Sequence, residues 1–502
     1  MTSLWLDRTN TFRSDQFHPR STFDTVVAGA GLTGLVAALL LARSGKKVLV
    51  VEARSPGAVT TGNTTAKVSL LQGTVLSALR NQYSQKVVDA YVEMNREGQA
   101  WLLRYLENRG VAFQRRDAYT YATSEGGAAI LRKELAAARA AGLAVEYLRE
   151  PGLPFPVNGA LRLGQQAQIH PMEVIDALVD DVRSHGGQIV SGVRLIGFRG
   201  LGALRGGELE VQTDHGPLRA RDVVLATGTP VLNRGLYFAK LKPLRSYAAA
   251  FELPGTTAVP DGMFLSAEQP VRSLRDYPAD GRRVLLVGGN GHPVGRARST
   301  QAYLDTLIDW TTAKFPGASL THSWSAQDYQ ATNLMPFFGK LPRGLGRVYF
   351  ATGYNKWGMT NSVAAALDIT ADILGTRLPW ASVIHHRVTS PAGAASAATL
   401  NAAVAATLAR DWGQVGLKRL DESREQPPEG AGLVTRRGRK PVAVSTVNGT
   451  RCELSAVCTH LGGIVRWNDS EKSWDCPLHG SRFSSDGTVL EGPATRDLRQ
   501  VD

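Results

Sequence analysis

Apolar positions near the start of the chain fall into three blocks. Residues 23–28 (FDTVVA) form a short apolar run that reads as a buried strand. The sequence Gly29-Ala30-Gly31-Leu32-Thr33-Gly34 follows at once, and 35–43 is an apolar helix stopped by Gly45. Residues 46–52 (KKVLVVE) predict a second strand that ends in a carboxylate. Further on, the periodicity predicts helices over 84–109, 128–141 and 172–185, the last behind Pro171 at a first helical turn. Strands are expected over 188–193, 209–213, 221–228, 282–289 and 347–353, and helices over 300–315 and 361–374. Two of those strands, 221–228 and 347–353, end in Ala-Thr-Gly.

The pattern then changes. Residues 390–408 are rich in Ala, Ser and Thr, and 421–430 (DESREQPPEG) is charged and proline-containing, which predicts a helix-plus-loop linker. After it come short β runs with frequent turns, at 432–435, 440–447 and 454–457, as in a small all-β domain.

The first block is a complete dinucleotide-binding fingerprint: strand, glycine turn, helix, and a second strand ending in an acid. Gly29 permits the tight turn, Gly31 lets backbone N–H groups approach a pyrophosphate, and Gly34 lets helix and strand pack closely. Glu52 stands where a carboxylate accepts hydrogen bonds from ribose hydroxyls. The fingerprint alone does not separate NAD from FAD. Gly288-Gly289-Asn290-Gly291, with Gly295, lacks the GxGxxG spacing and reads as a turn after a strand rather than a second nucleotide site.

Three cysteines exclude a disulfide framework. Cys458-Thr459-His460 and Cys476-Pro477-Leu478-His479 place one Cys and one His on each of two loops. Two Cys and two His also suit tetrahedral zinc, but zinc fingers keep like ligands together. One Cys–His pair per loop suits a two-iron cluster with thiolates on one iron and imidazoles on the other. Cys452 reads as a packed free thiol.

With Leu461-Gly462, Gly480-Ser481-Arg482-Phe483 and Gly492-Pro493-Ala494 around them, the two loops resemble those of Rieske [2Fe–2S] proteins, which implies Cys458, His460, Cys476 and His479 as ligands. Respiratory Rieske proteins carry a loop disulfide where this chain has Gly463 and Leu478, and high-potential forms carry tyrosine where it has Phe483. Ser481 keeps a hydroxyl that can donate to a bridging sulfide. Fewer donors to sulfur stabilise the reduced state less, so the potential is expected in the lower half of a span of roughly −150 to +300 mV.

The stretch Gly353-Tyr354-Asn355-Lys356-Trp357-Gly358-Met359-Thr360, after a strand and opening a helix, resembles the C-terminal FAD-contacting loop of the D-amino-acid-oxidase-like family. Residues 60–67 (TTGNTTAK) are similar to that family's small-residue stretch along the flavin. The resemblance covers nearly the whole chain and implies a bacterial FAD-dependent oxidoreductase with a C-terminal Rieske domain. The implied cofactors are FAD and a Rieske-type [2Fe–2S] cluster. The implied FAD contacts are Gly29, Gly31, Gly34, Glu52, Thr61, Thr64, Thr65, Val193, Gly228, Gly353, Trp357, Gly358, Met359 and Thr360. Tyr247, beside Arg245 on a strand that in the family approaches the flavin, and Lys67 are the candidate catalytic residues; Lys356 is a further flavin neighbour. His170 before Pro171 is expected to cap a helix.

The expected fold is an α/β Rossmann-like FAD-binding domain with an inserted α+β substrate domain, plus a small all-β C-terminal Rieske domain. The expected boundaries are a lead segment at 1–22, an oxidoreductase body at 23–380, a linker at 381–425 and the Rieske domain at 426–502. Within the body, 23–75, 160–245 and 325–380 are assigned to FAD, and 76–159 and 246–324 to substrate.

Length and composition agree: 502 residues, 43% hydrophobic and 20% charged, ask for two or three ordinary globular domains. The lead segment, broken by Arg8, Asp15 and Pro19, has no signal-peptide core, and the run 35–42 is too short to span a bilayer. A cytoplasmic protein with no membrane span is expected. The net charge of +13 belongs almost wholly to the first four hundred residues and comes with no nucleic-acid motif. It is compatible with an acidic substrate or carrier, but Arg is scattered along the chain and not clustered on a stripe, which favours an ordinary solvated surface. The expected activity is a dehydrogenase. It takes hydride from a small amine, amino acid or hydroxy compound onto flavin and sends single electrons through iron to an external acceptor, an acidic carrier protein or a quinone. The alternatives are a reductase component fed by NAD(P)H or a carrier, and a non-catalytic redox sensor.

Overall fold

A computed structural model describes residues 1–7, 11–200, 207–255, 257–279, 282–417 and 426–501. Among them, one sheet has eight strands. Its centre is the parallel set Val348–Thr352, Gly216–Leu225, Thr22–Ala28, Val48–Glu52 and Gln188–Ser191. Val26, Val27 and Val50 are fully buried, as expected of strands covered on both faces. The helices Leu32–Arg43 and Gly358–Ile373 cover one side, their core residues falling in one continuous apolar cluster.

Among the described residues a second sheet has nine strands. Its long strands Leu241–Glu252, Arg282–Pro293 and Ser319–Ala331 are antiparallel. This sheet crosses the expected domain boundaries. Strand Ala160–Ile169, assigned from sequence to the FAD part, pairs here with Phe113–Tyr121, and the end of Ser319–Ala331 stays here too. Strand pairing, not chain order, decides which layer a segment joins.

The fingerprint elements lie where the periodicity put them. The glycine cluster does not: Gly288 to Gly291 sit inside strand Arg282–Pro293, paired to Leu241–Glu252 and Arg272–Ala279, rather than in a turn. The polar lead is also part of the fold. Trp5, 1% exposed, donates from its indole to the Thr64 carbonyl (2.7 Å), and Ser3 Oγ donates to the Gly62 carbonyl (2.7 Å), pinning the small-residue stretch.

The Ala-rich stretch forms a helix, Pro391–Leu417, and residues 418–425 of the expected linker lie outside the described residues. Its segment Pro391–Gly416 is long and apolar enough to cross a membrane by length and composition. Here Val404, Leu408 and Val415 pack on the C-terminal domain, and Asn401 Nδ2 donates to the Ala239 carbonyl (2.8 Å). That domain consists of a three-stranded and a four-stranded antiparallel sheet.

Candidate functional site

Gly29, at φ +103°, turns the chain back so closely that a Cβ there would overlap the Ala226 carbonyl, and one on Gly34 would overlap the Gly29 carbonyl. Gly31 is different: its added Cβ would meet only Thr61 Oγ1, at 3.2 Å. The helix Leu32–Arg43 begins with no side-chain cap and no acid in its first turn, so its N–H groups face a space suited to an anion. Glu52 stands beside it. Its carboxylate accepts from the Ala30 amide and from the Arg54 amide, both at 2.8 Å, and has lone pairs left for a ribose. Burial pushes its pKa up, against those amides and the Arg54 and Arg194 charges. Val193 donates to the Glu52 carbonyl (3.0 Å), and Gly228 accepts from the Thr352 hydroxyl (2.6 Å) across the neighbouring strand ends.

The second helix N-terminus, Gly358–Ile373, also lacks a side-chain cap. Trp357 precedes it, Met359 is buried, and a Cβ on Gly358 would meet only Tyr354. Gly353 turns at φ +77°. The two helix starts are tied together by Tyr354 Oη and Thr33 Oγ1, 2.8 Å apart. Thr61 Oγ1 accepts from the Leu32 amide (3.3 Å). Thr64 is held by Trp5, and Thr65 Cγ2 would lie 3.4 Å from a Cβ on Gly288. The Thr360 hydroxyl points elsewhere, into a buried amide network with Asn95 (2.6 Å) and Gln72 (3.2 Å).

The face of the nine-stranded sheet that meets Thr65 carries Gly288, Ala248, Ser246 and Gly291. Lys67 reaches the same face: its amine donates to the Phe264 carbonyl (2.8 Å) and to Ser273 Oγ (2.5 Å), beside Gly288. Burial first, then the Arg275 charge, pushes the Lys67 pKa well down. The Lys356 amine lies 2.9 Å from where a Gly291 Cβ would stand, and burial lowers its pKa as well. Ser246 Oγ is buried there without a partner among the described residues.

Tyr247 does not face this space. Alternation pairs it with Gly289, whose Cβ direction meets Leu307, so it belongs to the far face of the sheet. It is 1% exposed and bonds His292 Nε2 at 3.1 Å. Arg245, on the same strand, turns to the C-terminal domain. Ser246 is the residue that sequence reasoning missed, and the signal was the small residues of the partner strand. His170 caps its helix as expected: Nδ1 accepts from the amides of Met172 (3.2 Å) and Glu173 (3.3 Å), and burial lowers its pKa to about 4.

The C-terminal domain brings its four predicted donors together on two abutting loops. The Cys458 amide donates to Gly463 O and the Cys476 amide to Ser481 O, each at 2.8 Å. A Cβ on Gly463 would stand 2.7 Å from the Leu478 side chain and 3.0 Å from Cys476 Sγ, so the two positions of the missing disulfide do face each other. The His460 and His479 rings lie 5.2 Å apart, centre to centre, at 84°. His479 Nδ1 is buried with no protein partner among the described residues, as an iron-binding nitrogen would be. Burial lowers the pKa of His460 to about 4 and of His479 to about 3, which favours neutral, ligating imidazoles. Hydrogen bonding between the two thiols pulls the Cys458 pKa down and, with burial, pushes the Cys476 pKa up, so the first thiolate of the pair forms on Cys458. Among the described residues no three such donors converge as one ion requires. A two-iron cluster needs a pair at each end, which this set fits.

Comparison with known proteins is decisive for the body. The model of the FAD-dependent oxidoreductase family DAO matches residues 24–372. The chain belongs to the DAO family. A Rieske [2Fe–2S] domain model matches residues 418–502, so this DAO protein is an FAD-dependent oxidoreductase with a Rieske domain, and its cofactors are FAD and a [2Fe–2S] cluster. It is 29% identical over 485 residues to YhfW of Bacillus subtilis (strain 168), named as a Rieske 2Fe–2S iron–sulfur protein, covering 95% of this chain and 93% of that one. The DAO fold is shared with glycine oxidase from Geobacillus kaustophilus (TM-score 0.60, 18% identity, 72% of this chain and 96% of that one). It is also shared with L-proline dehydrogenase from P. horikoshii (TM-score 0.59, 17% identity, 72% and 96%).

Proposed function

We propose that the protein is a dehydrogenase that oxidises a small amine, amino acid or hydroxy compound and delivers the electrons singly, through its Rieske domain, to an external acceptor. One observation carries this reading: Gln327 touches both halves of the machinery. Its backbone carbonyl accepts from the Thr60 hydroxyl of the flavin-side stretch, and its side-chain amide donates to the Gly480 carbonyl next to His479, both at 2.8 Å. A single residue therefore separates the two cofactor-binding segments.

Bound FAD supplies a hydride acceptor, and the cluster held by Cys458, His460, Cys476 and His479 takes electrons one at a time. The chain's own residues do the rest. The two open helix starts, at Leu32 and Gly358, would hold anionic phosphate and the electron-rich end of the flavin. Gly29, Gly31, Gly34 and Glu52 fit the adenosine half, with Val193 and Gly228 beside them. Thr61, Thr64, Thr65, Gly353, Trp357, Gly358 and Met359 line the flavin half. Thr360 ties the start of its helix to Asn95 and Gln72 by hydrogen bonds. The buried Lys67 amine, with no carboxylate bonded to it among the described residues, is suited to accept a substrate proton as a neutral base. Ser246 Oγ has a free hydrogen bond to offer a substrate heteroatom. Glycine and L-proline, named in the two similar structures, both carry a C–H bond beside nitrogen, which favours an amine or amino acid.

The net charge of +13 suits an acidic carrier protein as acceptor, with a quinone as the other class. The test is reoxidation. Substrate-reduced protein mixed with oxygen in stopped flow reoxidises slowly on this account, and a fast oxygen reaction contradicts it.

A further inference from the structure

We propose that Asn233, an exposed residue of the flavoprotein body, is a positioning residue for the cluster that orients His460 and holds the cluster potential down while the two domains are docked. This rests on the reading of His460 as an iron ligand.

Asn233 lies in the loop that follows strand Gly216–Leu225, immediately before the 3-10 turn Arg234–Lys240. Its Oδ1 is 2.8 Å from His460 Nε2. A carbonyl oxygen only accepts, so Nε2 carries the hydrogen and the Nδ1 lone pair is left for iron. Phe238, from the same turn, meets both rings edge to face: His460 at 5.3 Å and 84°, His479 at 4.8 Å and 76°. The histidine edge of the cluster site is thus covered by the chain's own oxidoreductase body. The cover is anchored. Arg245 of the body, 1% exposed at its side chain, pairs with Glu471 (2.8 Å) and Glu491 (3.1 Å) of the Rieske domain, and Arg482 pairs with the same two carboxylates and with Asp475. Arg296 Nε also donates to the Pro477 carbonyl, within the second ligand loop (3.1 Å).

A carbonyl accepting from Nε2–H draws that proton outward and leaves the ring more electron-rich. A more electron-rich imidazole stabilises ferric iron, so the contact lowers the potential. Removing the acceptor raises it; a carboxylate in its place lowers it further. Because Asn233 belongs to the body, the potential is coupled to docking.

The test is a mediator redox titration of the full-length holoprotein followed by EPR, which needs no substrate. For N233L, the reduced-to-oxidised ratio at a fixed applied potential rises about tenfold, or about 59 mV at one electron. N233D moves the ratio the other way. Opposite shifts support the proposal; no shift in either variant, or shifts in the same direction, overturn it. Should N233L bind no iron, N233D decides alone, and absence of a downward shift overturns the proposal. A Rieske signal that survives H460A would instead overturn the ligand reading on which it rests.

Discussion

The two faces of the nine-stranded sheet follow opposite rules. The face toward Thr65 is built from Gly288, Ala248, Gly291 and Ser246, and it is reached by the buried Lys67 and by the exposed Lys356, the latter beside the Asp328 charge. The far face is densely paired: Arg245 and Arg482 share Glu471 and Glu491, and Asp475, Ser473 and Gln327 add further bonds, with Arg245 Nε alone of its guanidinium nitrogens left without a partner among the described residues. Burying charge costs several kcal/mol per ion unless partners and hydrogen bonds offset it. The far face makes that compensation and fixes two domains together. The near face leaves the Lys67 amine without a carboxylate hydrogen-bonded to it and Ser246 Oγ without a partner among the described residues, which is what a site for substrate and flavin requires.

Disturbing the far face gives the largest effect. R245A leaves Glu471 and Glu491 buried beside one cation instead of two, and a loss of about 3–5 kcal/mol is expected in urea unfolding. An unchanged midpoint would mean that the network does not secure the docking. On the near face, K67M removes the proposed base. Turnover falls by about 10²-fold or more, with flavin absorbance retained.

The same variant has a stability signature. The folded-state pKa of Lys67 lies below its ordinary value of 10.5, so between the two values the unfolded chain binds more protons. Wild-type stability then rises with pH through that window, and K67M loses this rise; parallel pH–stability curves would refute the assignment.

S246A tests the missed residue. Its expected effect is a rise in KM of about tenfold, the value of one hydrogen bond of roughly 1.4 kcal/mol, and no change in unfolding. Y247F is the smallest change. Turnover stays within about twofold and stability falls by about 1 kcal/mol through the His292 contact. A large loss of turnover would return Tyr247 to the active face.

What the sequence revealed follows the same division. The fingerprint and the two ligand loops depend on residues close together in the chain, so spacing exposes them: Gly29 to Glu52, Cys458 to His460, Cys476 to His479. The nine-stranded sheet depends on pairings between distant segments, and its polar strands carry no clean period. Sequence reasoning therefore places Tyr247 on the substrate face, whereas the register of its strand against Gly289 turns it to the other. The pinning of Thr64 by Trp5 was hidden for the same reason, a contact across 59 residues from a polar lead.

The account's central claim is that electrons enter at the flavin and reach the iron. An anaerobic reductive titration against amines, amino acids, hydroxy acids and NAD(P)H, followed by absorbance and low-temperature EPR, tests it most directly. The account predicts that one organic substrate bleaches the flavin and a rhombic Rieske signal then appears. Reduction by NAD(P)H alone, with every organic substrate inert, would contradict it.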